Sequence, residues 1–466
     1  MTSQFKLNFC VVPALAGTLF FFASCKKDAP VLINELEISD EYFSGGETTV
    51  FNNGSTAFEQ PSTNCNSTEL DMHTEGDAAF EAVFVTAPAT VGSGLGPLFN
   101  QNACNSCHPR NGRSAAPANG TDLQGLLFRL SQNGVDPNGG PMPLSGFGGQ
   151  LQTKSVFSYQ PEAKVDINYI DQLHQFINGE TYTLRQPQYS FYDTYIPMPS
   201  SYNYSPRIAP PVFGLGLLEA VTETEILSYA DVNDVNGDGI SGKPNYVYDH
   251  ITQQTKLGRF GWKASEPTLY QQAAKAYNGD MGVTSPYFNL ENSYGQTQTD
   301  TLTDDPEVDD YTVVLTAFYT QSLAVPARRD VENETVMQGK NIFKAANCSG
   351  CHRMQMQTGN SPTVPSASNQ TIRPYTDMLL HDMGPALADN MPVFNANGQE
   401  WRTPPLWGIG LTKVVNGHTN FLHDGRARSL IEAVMWHGGE AEASKNYVKN
   451  LSKEDRDALI KFLESL

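Results

Sequence analysis

The chain contains two copies of the pattern C-x-x-C-H, and this pattern limits what the chain can fold around. The copies span Cys104–His108 and Cys348–His352 in a sequence of 466 residues. Each thiol of such a motif can add to one vinyl group of a porphyrin, and the following histidine can reach the iron as its proximal ligand. The sequence therefore predicts two covalent haem c groups. The predicted attachment and proximal residues are Cys104, Cys107, His108, Cys348, Cys351 and His352.

Two other uses of paired cysteines fit the sequence less well. A zinc site needs its two pairs close together, but 241 positions separate Cys107 from Cys348. A redox dithiol of the thioredoxin kind needs a βαβ context, which the sequence does not show. Cys65 is the one other thiol beyond the first 25 residues, and we expect it to be buried or inert.

The N-terminus has the pattern of an export signal. Lys6 precedes an apolar run, Leu7–Phe22, that is short for a membrane span and is interrupted by a proline and a glycine. Ala23 and Ser24 then precede Cys25 as in a bacterial lipobox, which predicts cleavage and lipid anchoring at that cysteine. A plain signal peptide and a single membrane anchor are the alternatives. We therefore expect a periplasmic or cell-surface lipoprotein of a bacterial envelope membrane.

The charge balance is strongly acidic. Thirty basic and 50 acidic residues give a formal net charge of −20. Such a surface argues against nucleic acid and anionic lipid as partners. It favours a basic redox donor, such as a small cytochrome or a cupredoxin, although the acidic residues could equally serve solubility alone.

Two helical patterns place the second motif in a compact setting. The segment Val331–Ala346 predicts a helix directly before that motif, and Ser452 with Asp455 caps an amphipathic helix at the C-terminus. In cytochrome c folds the helix before the haem motif crosses the last helix, and this arrangement is similar. Residues 134–204, rich in Gly, Pro, Gln, Tyr and Ser, predict long ordered loops with short strands.

These patterns together predict a mainly α protein with two cytochrome-c-like haem domains, long loops and minor β elements. We expect a lipoprotein-type signal at 1–25 and a tether with an N-terminal extension at 26–90. The first haem domain, with a large insertion, would span 91–325, and the second would span 326–466.

One loop has the oxygen-ligand spacing of a calcium site. Asp234, Asn236 and Asp238 follow that spacing, with a glycine at the sharp turn. The twelfth position is Asn245, where a bidentate glutamate is typical. The loop predicts either a calcium site or a turn without metal.

Several further motifs resemble those of the di-haem oxidoreductase/peroxidase family, whose members are often labelled thiol oxidoreductases. The resemblance covers nearly all of the chain after the signal segment. Besides the haem motifs, it is carried by Gly45–Thr49, Gly94–Pro97, Ser205–Pro210, Asp238–Gly242, Gly258–Ala264, Arg402–Trp407, Phe421–Ala427 and Trp436–Ala441. That family is related to bacterial di-haem cytochrome c peroxidases and to the di-haem enzyme that matures methylamine dehydrogenase.

The resemblance implies a division of labour between the haems. In the peroxidases, the C-terminal haem collects electrons and the N-terminal haem reduces hydrogen peroxide, with the help of a Gln and a Glu. Here Asp280, shorter than Glu by one methylene, is the candidate acid–base, and Gln271 is its expected neighbour; a surface or capping Asp is the alternative. The resemblance also makes Trp262 a candidate electron relay, or else a core aromatic residue.

The sixth ligands stay open. The resemblance implies a methionine ligand of the second haem just before the Arg402–Trp407 motif, but this chain has no methionine there. For the second haem we rank Met383 first. The alternatives are His381, His423 and His437. Candidates for the first haem are Met281, Met142 and His174.

The resemblance favours a peroxidase, and two other functions compete with it. A plain electron-transfer cytochrome would need no distal acid. A di-haem enzyme that uses oxygen on an organic or protein substrate is the other alternative. Thiol chemistry is disfavoured, because haem attachment would consume both cysteine pairs.

Overall fold

The computed structural model describes residues 40–300 and 302–466. The predicted signal segment, with Cys10 and Cys25, lies outside these ranges, as does the first part of the predicted tether. The helices of the described residues are α1 (Ser67–Glu81), α2 (Cys104–Cys107), α3 (Leu215–Ala220), α4 (Glu223–Leu227), α5 (Leu269–Met281), α6 (Asp310–Ser322), α7 (Glu334–Ala345), α8 (Thr412–Asn416), α9 (Leu430–Trp436), α10 (Glu442–Lys449) and α11 (Lys453–Ser465).

The strands pair into small sheets of two strands each. They are β1 (Val85–Thr86), β2 (Ser93–Leu95), β3 (Leu98–Phe99), β4 (Leu126–Ser131), β5 (Lys154–Ser155), β6 (Lys164–Gln175), β7 (Thr181–Tyr192), β8 (Asn203–Ile208), β9 (Tyr246–Asp249), β10 (Gln254–Leu257), β11 (Met356–Gln357), β12 (Thr371–Ile372), β13 (Leu380–Asp382) and β14 (Glu400–Arg402). The β4–β8 and β6–β7 pairs are antiparallel, and the latter is the longest.

The expectation of a mainly α protein is wrong, since helices account for 28% and strands for 19% of the structure. The segment expected to hold long loops with short strands contains the hairpin β6–β7, whose strands have 12 residues each. The turn carries Asn178 and Gly179, and Gly179 has a φ of 88°. An Asn-Gly pair between alternating runs is a strong hairpin signal, because such turns need positive φ. Its Gly- and Pro-rich surroundings obscured that signal.

The helix crossing expected around the second haem motif is present. Helix α7 packs against α11, which begins after the N-cap Ser452, whose side chain accepts a hydrogen bond from the Asp455 N–H at 3.1 Å. Gly339 sits at the crossing, where an added Cβ would overlap the carbonyl oxygen of Ala458 and lie 2.7 Å from Cβ of Phe462. The absence of a side chain at this position allows the two backbones to touch.

The long hairpin joins the two halves of the chain. Phe176 and Leu184 pack into the same core as Phe462 of α11. The guanidinium of Arg456 lies over the ring of Phe176 at 3.9 Å and pairs with Glu180 at 2.5 Å. A segment of the first half therefore completes the core of the second.

The described part of the predicted N-terminal extension is packed into the core. Phe58 is 1% exposed and stacks on Phe213 with ring centroids 4.1 Å apart. Helix α1 packs closely on α6, where Gly76 faces the backbone of Leu315. Within the described ranges, none of the helices is long and apolar enough to cross a membrane.

We expect Gly339→Ala to lower the free energy of unfolding by about 1–3 kcal/mol, because the new methyl group must push α7 away from α11. Gly279→Ala is the matched control. It also adds a methyl inside a helix, but its nearest neighbour would lie at 3.7 Å, an ordinary contact. The control should keep or slightly raise stability, by at most about 1 kcal/mol. Chemical denaturation followed by circular dichroism measures both, and equal effects would contradict the close crossing.

Candidate functional site

Each C-x-x-C-H motif lines a large cavity. The first cavity, of about 1670 Å³ with its mouth, is bordered by Cys104, Cys107 and His108. The second cavity, of about 1380 Å³ with its mouth, is bordered by the equivalent residues of the second motif. The two cavities are neighbours, because five residues border both: Arg113, Trp262, Arg402, Pro404 and Pro405.

The two motif histidines have the same arrangement. The Nδ1 of His108 hydrogen-bonds the carbonyl oxygen of Pro210 at 2.7 Å, and the Nδ1 of His352 hydrogen-bonds that of Tyr375 at 2.9 Å. This bond fixes the tautomer and leaves Nε2 as the metal-binding nitrogen. Burial lowers the pKa of each imidazole to about 4, so both are neutral near pH 7, as a metal ligand must be.

The motif cysteines are unsuited to redox exchange. None of the four forms a disulfide within the described residues, and burial raises the pKa of each thiol, to about 12 for Cys104 and Cys348. A reactive dithiol needs the opposite, a lowered pKa that exposes a thiolate. Their position on cavity walls beside a histidine suits thioether attachment to a porphyrin instead.

The arginine side chains around the first cavity suit the binding of haem. Arginine guanidinium groups border the first cavity and can pair with the two propionate carboxylates of haem. Nη2 of Arg207 is buried without a hydrogen-bond partner among the described residues, although Nε of the same side chain donates to Ser205 at 3.1 Å. The arginines that border the first cavity are Arg113, Arg129, Arg207 and Arg402.

Helix α5 supplies the acid of the first cavity. Residues spaced as on one helix face border this cavity: Leu269, Gln272, Ala273, Ala276 and Asp280. Burial raises the pKa of Asp280, against the opposing effects of Arg129 and of a hydrogen bond from Gln150. That bond joins Nε2 of Gln150 to Oδ1 of Asp280 at 2.8 Å. A buried carboxyl with a raised pKa can hold a proton for transfer.

The structure does not bring Gln271 to Asp280. Gln271 is 1% exposed, and its Nε2 donates to Glu266 at 2.8 Å, while its Oε1 accepts from the His250 N–H. The two residues are nine positions apart on a helix of 3.6 residues per turn, so they lie on different faces. Gln150 takes the place expected for Gln271. The sequence reasoning missed both Gln150 and Arg129, since no local pattern links either of them to Asp280.

Trp262 lies in the wall between the cavities. Its ring is 7% exposed, and its Nε1 donates to the carbonyl oxygen of Ile208 at 2.8 Å. The guanidinium of Arg113 lies 5.5 Å from its ring centroid. The position suits a relay between two cofactors and equally suits a core aromatic residue, so the relay stays a prediction.

Only some of the candidate sixth ligands border the cavity of the haem for which they were predicted. Met281 borders the first cavity, whereas Met142 and His174 do not. His174 instead stacks on Tyr182 of the hairpin, with ring centroids 5.3 Å apart. All four candidates for the second haem border the second cavity: His381, Met383, His423 and His437.

The candidate calcium loop is held by its own backbone. Oδ1 of Asp238 accepts from the Ile240 N–H at 2.9 Å, and Oδ1 of Asn236 accepts from the Asp238 N–H at 2.8 Å. Asp234 accepts from the Gly239 N–H at 3.2 Å. In residues 40–300 and 302–466 no group of three or more His, Cys, Asp or Glu side chains is placed to hold a metal ion. Calcium therefore stays a prediction.

A family model described as "Di-haem oxidoreductase, putative peroxidase" matches residues 39–466, which is nearly the whole chain. Searches of curated proteins and of solved structures found no match. The matched range includes both cysteine motifs, both cavities and the wall between them.

We expect the double variant Cys104→Ala/Cys107→Ala to carry one covalent haem in place of two, because no thiol would remain to attach the first. The pyridine haemochrome assay and intact-protein mass spectrometry count the haems. Cys65→Ala is the matched control, since Cys65 borders neither cavity, and it should keep two haems. Two haems in the double variant would contradict the assignment of the first motif.

Proposed function

Because the chain belongs to the di-haem oxidoreductase family, we propose that it is an exported c-type cytochrome that reduces hydrogen peroxide. In this proposal, peroxide reacts at the N-terminal haem, and electrons arrive through the C-terminal haem. The observation that carries the proposal is the difference between two neighbouring cavities. Only the first is bordered by a buried carboxyl of raised pKa, Asp280, close to Arg129.

His108 and His352 would hold the two irons through Nε2, with covalent attachment through the motif cysteines. Haem, when bound, supplies an iron that accepts electrons and binds an oxygen of the substrate. The reaction consumes one peroxide, two electrons and two protons, and it forms two water molecules. The chain's own contribution at the first cavity is therefore proton handling.

Asp280 is the group suited to move a proton between the two peroxide oxygens. Oδ1 accepts the hydrogen bond from Gln150, which fixes the orientation of the carboxyl group. Burial favours the neutral acid, which can donate to the departing oxygen, and Arg129 favours the carboxylate, which can accept a proton. The opposition of these two effects suits a group that must do both in each cycle.

Trp262 connects the two cavities in this proposal. Because Trp262 borders both cavities, it lies on a route by which an electron would pass from one cofactor to the other. Its indole is held by Ile208, which keeps its position constant. The acidic composition supports a small basic cytochrome or cupredoxin as the donor. Export and the lipid anchor at Cys25 rest on the N-terminal sequence alone.

We expect Asp280→Asn to lower kcat/KM for peroxide by about 10²- to 10⁴-fold, because the amide cannot carry the proton. Peroxide-dependent oxidation of a reduced donor measures the rate, and the haem content should not change. Asp193→Asn, at an exposed position on the hairpin, is the control. An Asp280→Asn variant with the parent's rate would favour a plain electron carrier.

We expect Trp262→Phe to slow electron transfer from the second haem to the first, because phenylalanine is harder to oxidise and reduce than tryptophan. Stopped-flow mixing of the fully reduced protein with peroxide measures the oxidation of the second haem. Trp436→Phe is the matched control, since this tryptophan is 4% exposed and borders neither cavity. Equal rates in the parent and in both variants would leave Trp262 as a packing residue only.

A further inference from the structure

Several histidines border the second cavity, and one of those outside the haem motif is arranged like the proximal histidine. His437 follows the end of α9, and its Nδ1 hydrogen-bonds the carbonyl oxygen of Ala433 at 2.8 Å. His352 uses its Nδ1 in the same way on Tyr375. In both residues the hydrogen bond directs the imidazole and leaves Nε2 for a metal.

Helix α9 presents one face to this cavity. Its bordering residues are spaced by three and four positions, namely Leu430, Ala433, Val434 and His437. The first three are apolar, so the imidazole is the donor that this face offers.

His381 is committed elsewhere. Its Nδ1 lies 2.6 Å from Oε2 of Glu440, and its Nε2 lies 2.8 Å from Oδ2 of Asp377. With a carboxylate on each nitrogen, the ring carries both protons and has no lone pair to offer a metal. It borders the cavity as a fixed cation and not as a ligand.

His423 is held between aromatic rings. It stacks on Trp401 with centroids 3.9 Å apart and planes at 12°, and Trp262 approaches it edge-on at 6.5 Å. Its Nε2 lies 3.8 Å from Oδ2 of Asp424. Ligation would have to break this stack and turn the ring away from Asp424.

Met383, ranked first from the sequence, packs as a hydrophobic residue against two of the apolar cores. It follows the short strand β13 in a loop and lacks the hydrogen bond that orients His437.

We infer that His437 is the sixth ligand of the C-terminal haem, which is then ligated by two histidines. This inference rests on the two haems of the proposed function. Two imidazoles lower the reduction potential relative to a histidine–methionine pair. The second haem is therefore a stronger reductant toward the first than a haem with a histidine–methionine pair would be.

Electron paramagnetic resonance and absorption spectra of the oxidised holoprotein test the inference. His437→Ala should convert one low-spin haem to a high-spin form, and added imidazole should restore the low-spin signal. His437→Met should introduce the charge-transfer band of methionine-ligated ferric haem and raise one reduction potential. Met383→Leu is the matched control and should leave the spectra and both potentials unchanged.

A low-spin second haem that persists in His437→Ala and is lost in Met383→Leu would overturn the inference in favour of Met383. Persistence in both variants would overturn it in favour of another ligand. Fewer than two haems per chain in the parent would overturn the inference and the proposed function together. The expected spectra in a protein that does not turn over peroxide would overturn the peroxidase proposal alone.

Discussion

The wall between the two cavities is the constraint on which the rest of the structure depends. Trp262 comes from the first half of the chain and Arg402 from the second, and both border both cavities. Apolar space of this size costs stability in proportion to its volume unless a ligand fills it. A haem in each cavity would fill this space and remove that cost.

Two arginines that border both cavities donate to backbone carbonyls of the other half of the chain. Nη1 of Arg113 donates to the oxygen of Leu422 at 3.1 Å, and Nε of Arg402 donates to that of Gly261 at 3.0 Å. Burial lowers the pKa of each guanidinium to about 10, which still leaves both charged near pH 7. These fixed positive charges suit the carboxylates of haem. They also tie the two halves into one structure, as the long hairpin does.

A buried ion pair holds the segment beside Trp262. Nζ of Lys263 donates to Asp389 at 2.7 Å and to the carbonyl oxygen of Asn397 at 2.8 Å, and neither side chain of the ion pair is exposed. Such a pair stabilises little by itself, but breaking it would leave a buried charge without a partner. It therefore favours one arrangement of the wall over others. This rigidity suits electron transfer, in which the distance between the cofactors must not vary.

Local patterns in the sequence determined the haem motifs and helices α7 and α11. They could do so because attachment chemistry, capping and helical periodicity act over a few residues. Other features depended on contacts between distant parts of the chain. Gln150 meets Asp280 across 130 positions, and the hairpin completes a core that begins at Val336. Tertiary contacts also decide which histidine of the second cavity has a nitrogen available to bind a metal. His381 and His437 look alike in sequence, and only the fold places carboxylates on both nitrogens of one and leaves Nε2 of the other for the metal.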